Sequence, residues 1–248
     1  MTYCVGILLE QGLVLASDTR TNAGVDQVAV APKMHVIEQA DERVIVLLTA
    51  GNLAITQSVV NLLREQLNPP KKSTKQQPNL HNVATMFEAA GIVGAAMREI
   101  YHREGKALKD HGVEFNASIL VAGQIRGEPP RIFNIYAAGN FIEATPDTPY
   151  LQIGETKYGK PIIDRVVKRN TDLMDAVKCV LISFDSTIRS NISVAAPIDL
   201  MIYRTDSFHG RFRERITEQD PYYASVRKGW SEGLKAVFSS LPNPEWCI

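Results

Sequence analysis

The first six residues, Met1-Thr2-Tyr3-Cys4-Val5-Gly6, constrain this chain more than any other stretch. The initiator Met1 is usually trimmed before a small second residue, which makes Thr2 the mature N-terminus. One residue then carries both a hydroxyl and a free α-amine. A hydroxyl is a weak nucleophile until a base takes its proton, and a threonine paired with its own terminal amine is one recognised solution. The α-amine suits that task because its reference pKa, about 7.7–8.0, lies near working pH. From Tyr3 to Leu9 the chain is apolar and partly β-branched, Gln11-Gly12 makes a turn, and Leu13 to Ser17 resumes the run. Two such runs around a glycine turn predict a hairpin.

Nothing in the composition points away from an ordinary globular protein. The chain has 248 residues, 45% of them apolar and 22% charged, which is ample material for a core. Basic and acidic residues balance at 27 each, so no net charge invites nucleic acid or an anionic membrane surface. Cys4, Cys179 and Cys247 are far apart and lack CxxC spacing, and read as reduced cytoplasmic thiols rather than a disulfide frame or zinc site. No apolar run approaches the roughly 18–20 residues of a membrane span. No signal peptide is read either, because the first strand-like run breaks at Glu10-Gln11-Gly12.

After the polar stretch Ser17 to Gly24, the segments Lys33–Ile37 and Arg43–Leu48 read as a second strand pair. Thr49-Ala50-Gly51-Asn52 ends that pair and opens a helix that Asn52 can cap, with Leu53, Thr56, Val59, Val60, Leu63 and Leu67 on one face. Asn68 to Asn79, with three prolines and three lysines, reads as a solvated loop. A long helical pattern follows, in which Val83, Met86, Phe87, Ala90, Gly94, Met97 and Tyr101 read as core, and which fades in the charged run up to Gly112. Gly91, Gly94, Ala95 and Ala96 would let another layer approach closely. Strands are then expected at Phe115–Ile125, Arg131–Ala137, Asn140–Glu143 and Tyr150–Ile153, and helices at Pro161–Val167 and Met174 to about Ser186. Two more strands, Ile198–Tyr203 and Phe208–Ile216, precede a last helix from Tyr222 to Leu241. Blocks of strands alternating with blocks of helices predict sheets stacked face to face under outer helix layers. No linker, repeat or low-complexity segment divides the chain, so one α+β domain over residues 1–248 is expected.

The order of these elements, together with Thr2, Ser17-Asp18-Thr19-Arg20, Lys33, Ala50-Gly51 and Arg189-Ser190-Asn191-Ile192-Ser193, resembles the proteasome β-subunit family of N-terminal-nucleophile hydrolases. Within it, the opening Met-Thr-Tyr-Cys-Val-Gly and the later Ser-Asp-Thr-Arg-Thr-Asn-Ala-Gly look most like the bacterial Anbu, or ancestral β-subunit, branch. The resemblance implies a four-layer αββα sandwich and a threonine-type peptidase working through an acyl ester on Thr2. It implies self-association into a ring or open helical oligomer acting on peptides or unfolded protein, and leaves room for an ATPase or other regulator that feeds it.

Each matching residue has its own physics. Thr2 would supply Oγ and the base. Lys33 would stand beside them as a fixed cation: two unit charges 4 Å apart at an effective dielectric of 20 interact by about 4 kcal/mol. That is worth about three orders of magnitude in the protonation of the amine. Asp18 would pair with Lys33 and offset the cost of burying it. Gly51 can aim a backbone N–H at a developing oxyanion. Ser193 matches a family serine near the terminal amine, and Arg20 a supporting position. Taken singly, Asp18, Arg20 and Lys33 read as surface charges; their order behind an N-terminal threonine is what assigns them a role.

The chain also departs from the family. The segment between Arg20 and Lys33 is one residue short. Ser190 stands where the family has a carboxylate, Val194 replaces a glycine, and Gly154-Glu155-Thr156 replaces Gly-Ser-Gly. Glu155 is therefore a candidate for the missing negative charge. The run Gly154 to Pro161 nearly spells a phosphate loop, but Pro161 occupies the place of the magnesium-binding Ser or Thr, so a strand-to-helix connection is expected. The histidines share no metal spacing and His35 reads as a strand residue, so neither metal nor cofactor is expected. Two other readings compete: a small-amide hydrolase using the same N-terminal chemistry, and a non-catalytic assembly subunit.

Overall fold

The computed structural model describes residues 1–22, 28–67 and 77–246. In chain order the elements are β1 (Tyr3–Leu9), β2 (Gly12–Asp18), β3 (Arg20–Asn22), β4 (Val28–Val30), β5 (Met34–Gln39), β6 (Arg43–Gly51), α1 (Leu53–Leu67) and α2 (Met86–Asp110). There follow β7 (Ala117–Ile125), β8 (Arg131–Ile135), β9 (Phe141–Glu143), β10 (Tyr150–Gly154), α3 (Lys160–Val166), α4 (Leu173–Ser190), β11 (Ile198–Arg204), β12 (Phe212–Ile216) and α5 (Pro221–Ser240).

The layering follows from the first hairpin, whose two strands are buried along their whole length. Successive strand residues point to opposite faces, so a strand apolar on both must lie between two layers. Tyr3, Val5, Ile7 and Leu9 join one core with Val180, Leu181 and Phe184 of α4 and Ile163 of α3. Cys4 and Leu8, with Leu13 and Leu15, join another core with Val44, Val46, Leu48, Leu120 and Ala122 of the second sheet. The first sheet has the order β10-β1-β2-β11-β12 and the second β5-β6-β7-β8-β9, and every pair is antiparallel. Val59 and Leu63 of α1 and Val93 and Met97 of α2 cover the outer face of the second sheet. The result is the αββα sandwich that the sequence predicts.

Several details differ. Among the described residues six strands precede the first helix rather than four, because β3 and β4 form a separate two-stranded ribbon in the polar stretch. Three residues are too few for a hydrophobic period to register. The second long helix does not fade at the charged run: Ile100 and Leu108 continue its apolar stripe, and the charges occupy its outer side. Its start is set by Thr85, whose hydroxyl accepts from the Glu88 N–H at 3.1 Å, while Glu88 accepts from the Ala84 N–H at 2.8 Å. Phe87 and Tyr101 are not core but 56% and 51% exposed; Met86, one step around the helix from Phe87, takes the buried position. Asn52 caps α1 as expected, accepting from the Ala54 N–H at 3.0 Å. Gly154 to Pro161 is a strand-to-helix connection with Pro161 in the first turn of α3. His35 lies on β5, beside Arg64, and burial with that cation pushes its imidazole down to about 4. Residues 68–76 of the expected loop, residues 23–27 before Lys33, and Cys247 lie outside the described residues. Among the described residues no helix is long and apolar enough to cross a membrane.

Close approach is confined to one of the two expected helical glycines. A Cβ on Gly94 would stand 2.3 Å from the Gly139 carbonyl oxygen, whereas one on Gly91 would meet nothing within 4 Å. Gly91→Ala should therefore raise the thermal midpoint through about 0.5–1 kcal/mol of helix propensity. Gly94→Ala should lower it by forcing the Gly139 backbone away, at about 1–3 kcal/mol. Stabilisation by both substitutions would contradict the packing of α2 against the Gly139 turn.

Candidate active site

The N-terminus enters the first sheet between β10 and β2. Tyr3 pairs with Gly154, and Cys4 with both Ile153 and Ser17. Thr2, 6% exposed, sits one residue before this ladder, and its carbonyl accepts from the Glu155 N–H at 2.6 Å. That approach needs glycine at position 154: φ is +83°, and a Cβ would stand 2.0 Å from the Thr2 carbonyl oxygen. On the other side, the Tyr3 N–H donates to Asp18 Oδ1 at 3.0 Å, so the last residue of β2 holds the terminus with its side chain.

Lys33 comes from the other sheet. It immediately precedes β5, and its carbonyl accepts from the Thr49 N–H of β6 at 3.0 Å. Its ammonium crosses to the first sheet and donates to Asp18 Oδ1 at 2.8 Å and to the Arg20 carbonyl at 2.6 Å. The two side chains are 4% and 0% exposed, so the ion pair is buried and joins the two sheets at one end. Cys4 Sγ, donating to the Thr49 carbonyl at 3.6 Å, makes a second cross-sheet link beside it. Burial raises the Asp18 carboxyl above its ordinary 3.8, while the Lys33 charge and the Tyr3 N–H act to hold it down.

These charges act on the terminus. In the chain with Met1 in place, the terminal amine lies below its ordinary 8.0, first through burial and then through the Lys33 cation, with Asp18 and Glu155 opposing. Thr2, one residue further in, is more deeply buried than Met1, which is 62% exposed.

The remaining predicted residues divide. Gly51 ends β6 two residues beyond Thr49, with φ +109°, where a Cβ would stand 2.3 Å from the Asn116 carbonyl oxygen. Arg20 links two parts of the site: its carbonyl accepts from Lys33, and its guanidinium donates to the Ile192 carbonyl at 2.8 Å. Ser193 is half-buried beside that contact, and its N–H donates to Asn191 Oδ1 at 2.9 Å. Glu155 does belong to the site, buried and bonded through its backbone to Thr2. Ser190 is not brought to it: it is the exposed last residue of α4, and the neighbouring Asn191 makes the contact with Glu155 instead. Sequence reasoning missed Asn191, whose amide bridges Glu155 and Ser193, and Thr49, which seats Lys33. No local pattern marks them, since Asn191 meets a partner 36 residues away. Among the described residues no group of three or more His, Cys, Asp or Glu is arranged to hold a metal ion.

A threonine at the second position, a buried lysine–carboxylate pair beside it and a four-layer αββα sandwich together define the N-terminal-nucleophile hydrolase class of fold. Residues 2–202 match the family described as proteasome subunit, and the chain belongs to that family. It is similar over nearly its whole length to solved Anbu structures. The Anbu (ancestral beta-subunit) protein from Yersinia bercovieri is 51% identical, with a TM-score of 0.91 over 98% of this chain and 99% of that one. The Anbu (Gly-1) mutant from Hyphomicrobium sp. strain MC1 is 47% identical, with a TM-score of 0.92 over 99% and 100%. A structure described as the helical assembly of the Anbu complex from Pseudomonas aeruginosa is 44% identical, with a TM-score of 0.92 over 99% of each chain. Comparison with curated proteins gave no match.

Removing one partner of a buried ion pair strands the other. Lys33→Met should destabilise the chain by about 3–5 kcal/mol, and Lys33→Met combined with Asp18→Leu should recover part of that loss. Denaturant midpoints measure both. A double variant less stable than the single one would show that Asp18 has a stabilising role beyond the pair.

Proposed function

We propose that this chain is a threonine peptidase of the proteasome type, a single hydrolase domain over residues 1–248 acting in the cytoplasm. The observation that carries the reading is the Lys33 ammonium, held buried by Asp18 at 2.8 Å beside an N-terminus whose Met1 amine is lowered by burial and then by that cation. Removal of Met1 frees the Thr2 amine. Thr2 Oγ then attacks the carbonyl carbon of a peptide bond, and its proton passes through a water to the amine. Lys33 favours the neutral amine beforehand and the alkoxide-like oxygen during attack. The backbone N–H at Gly51 receives the oxyanion. Collapse of the tetrahedral adduct breaks the C–N bond, and the departing amine takes the proton, leaving an ester on Thr2. A water then gives a proton to the Thr2 amine and attacks the ester carbonyl; the C–O bond to Thr2 breaks, the amine returns the proton to Oγ, and the carboxylic acid product leaves. Arg20 and Ser193 support the wall of the site.

Self-association belongs to the same reading. The last turns of α5 and the residues after it expose Val237, Phe238, Leu241 and Trp246, the kind of apolar surface that a subunit covers in an assembly. The helical assembly of a 44% identical chain supports it.

Intact mass with and without a peptide epoxyketone tests the chemistry, because that probe needs both the hydroxyl and the free amine of a terminal threonine. The expected result is loss of Met1 and one adduct on Thr2, absent in Thr2→Ala and in Lys33→Ala. A Met1-free chain that stays unlabelled and cleaves no peptide in a panel that includes small amides would sink the reading. The base must be neutral to act, so kcat/KM should rise with pH to a plateau. Burial and the Lys33 cation, which lower the Met1 amine, should act in the same direction on the Thr2 amine and place the midpoint below the ordinary 8.0. A midpoint at or above that value would remove Lys33 and burial from the account.

A further inference from the structure

Asn191, just beyond the end of α4, is 9% exposed and uses both halves of its amide. Nδ2 donates to Glu155 Oε2 at 2.8 Å, and Oδ1 accepts from the Ser193 N–H at 2.9 Å. An amide engaged at both ends has one orientation. Glu155 is tied in turn to the nucleophile's own residue, its N–H donating to the Thr2 carbonyl at 2.6 Å. The carboxylate is thus anchored through its backbone on one side and through Asn191 on the other.

Among the described residues, the charged groups that act on the terminal amine, carried here by Met1 next to Thr2, are Lys33, Asp18 and Glu155. Asp18 spends Oδ1 on Lys33 and on the Tyr3 N–H. Glu155 has a different partner set: the neutral Asn191 amide, and Lys157 at 3.6 Å on a side chain that is 68% exposed. Arg20 faces the Ile192 carbonyl, and Arg189 is turned to Asp185. A neutral hydrogen-bond donor orients a carboxylate without cancelling its charge, whereas an exposed lysine is screened by water.

We propose that Asn191 is a positioning residue for the reaction described above: it holds the Glu155 carboxylate against the N-terminus as a fixed negative counterweight to Lys33. The inference rests on that reading. Its chemical sense lies in the two duties of the amine, which accepts a proton from Thr2 Oγ and later delivers it to the leaving group. Lys33 alone favours only the neutral form; the carboxylate stabilises the ammonium formed during attack, and together they keep the base near working pH.

The test uses the full, Met1-free chain and reads the amine directly, by the pH dependence of its acetylation with acetic anhydride followed by mass spectrometry. Thermal midpoints confirm folding, and the pH profile of peptide hydrolysis is recorded beside it. Glu155→Gln keeps an acceptor for Asn191 and removes the charge; it should lower the midpoint for acetylation by on the order of one pH unit. Asn191→Ala should lower it in the same direction by less, because the carboxylate swings toward Lys157 and solvent. Asn191→Ala should add nothing in the Glu155→Gln background. If Asn191→Ala does not fold, Asn191→Ser takes its place, since its hydroxyl can serve the Ser193 N–H but cannot reach Glu155. Unmoved midpoints in the folded variants overturn the proposal, as does an Asn191→Ala effect that persists in the Glu155→Gln background. Midpoints that move as stated in a protein that hydrolyses no peptide would support the placement and sink the peptidase reading, because acetylation requires no turnover.

Discussion

The buried pair of Lys33 and Asp18 is the interaction on which the site depends. Each side chain alone would be costly inside the sandwich, since an ion taken from water loses several kcal/mol that only a well-placed partner returns. Here the partners come from different sheets. Asp18 ends β2, Lys33 precedes β5, and their contact at 2.8 Å can form only when the two sheets are stacked in the observed orientation. A buried ion pair is weak evidence for stability, because apolar residues of similar size commonly do as well. Its presence at the buried start of the chain therefore calls for an electrostatic role.

From that pair a closed path of hydrogen bonds runs around the terminus. Asp18 accepts from the Tyr3 N–H; Lys33 donates to the Arg20 carbonyl; Arg20 donates to Ile192; Asn191 donates to Glu155; and the Glu155 N–H returns to the Thr2 carbonyl. The path joins β1, β2, the start of β3, the segment after α4 and the end of β10. Glycine at 154 permits the closing step, because no side chain fits between that position and Thr2. The backbone of Thr2 is held this way through its carbonyl and the Tyr3 N–H, and fixed placement of that kind is what the proposed nucleophile requires.

Much of this was legible along the chain because it rests on short-range physics. The β1–β2 hairpin shows in its apolar runs and glycine turn, the cap of α1 in Asn52, and the strand-to-helix connection in Pro161. The resemblance of the stretch from Thr2 to Gly51 named Thr2, Asp18, Arg20, Lys33 and Gly51. What escaped was either too short or too distant. The β3–β4 ribbon has three residues to a strand and no periodic signature. Phe87 and Tyr101 share the spacing of core residues yet lie at the exposed rim, edge-on to Phe141 and Phe115, because a stripe on a helix is set by the layer it meets and not by hydrophobicity alone. Ser190 aligned with a family position but falls on the exposed last turn of α4.

The sequence by itself determined the class of fold, through residue identity, local periodicity and the order of elements, all of which are properties of neighbours in the chain. Its resemblance to the proteasome β-subunit family singled out Thr2 as the expected nucleophile and the charges expected to act on it. Only the tertiary structure decided which of those charges meet. Glu155 joins the terminus rather than lying elsewhere, Asn191 becomes its partner, and Lys33 reaches Asp18 instead of solvent. Such contacts link residues 15 to 153 positions apart, and their geometry comes from the stacking of two sheets on a shared apolar layer. Burial in that layer is also what turns ordinary surface-type side chains into a low-dielectric site, where a single charge can shift the protonation of its neighbour.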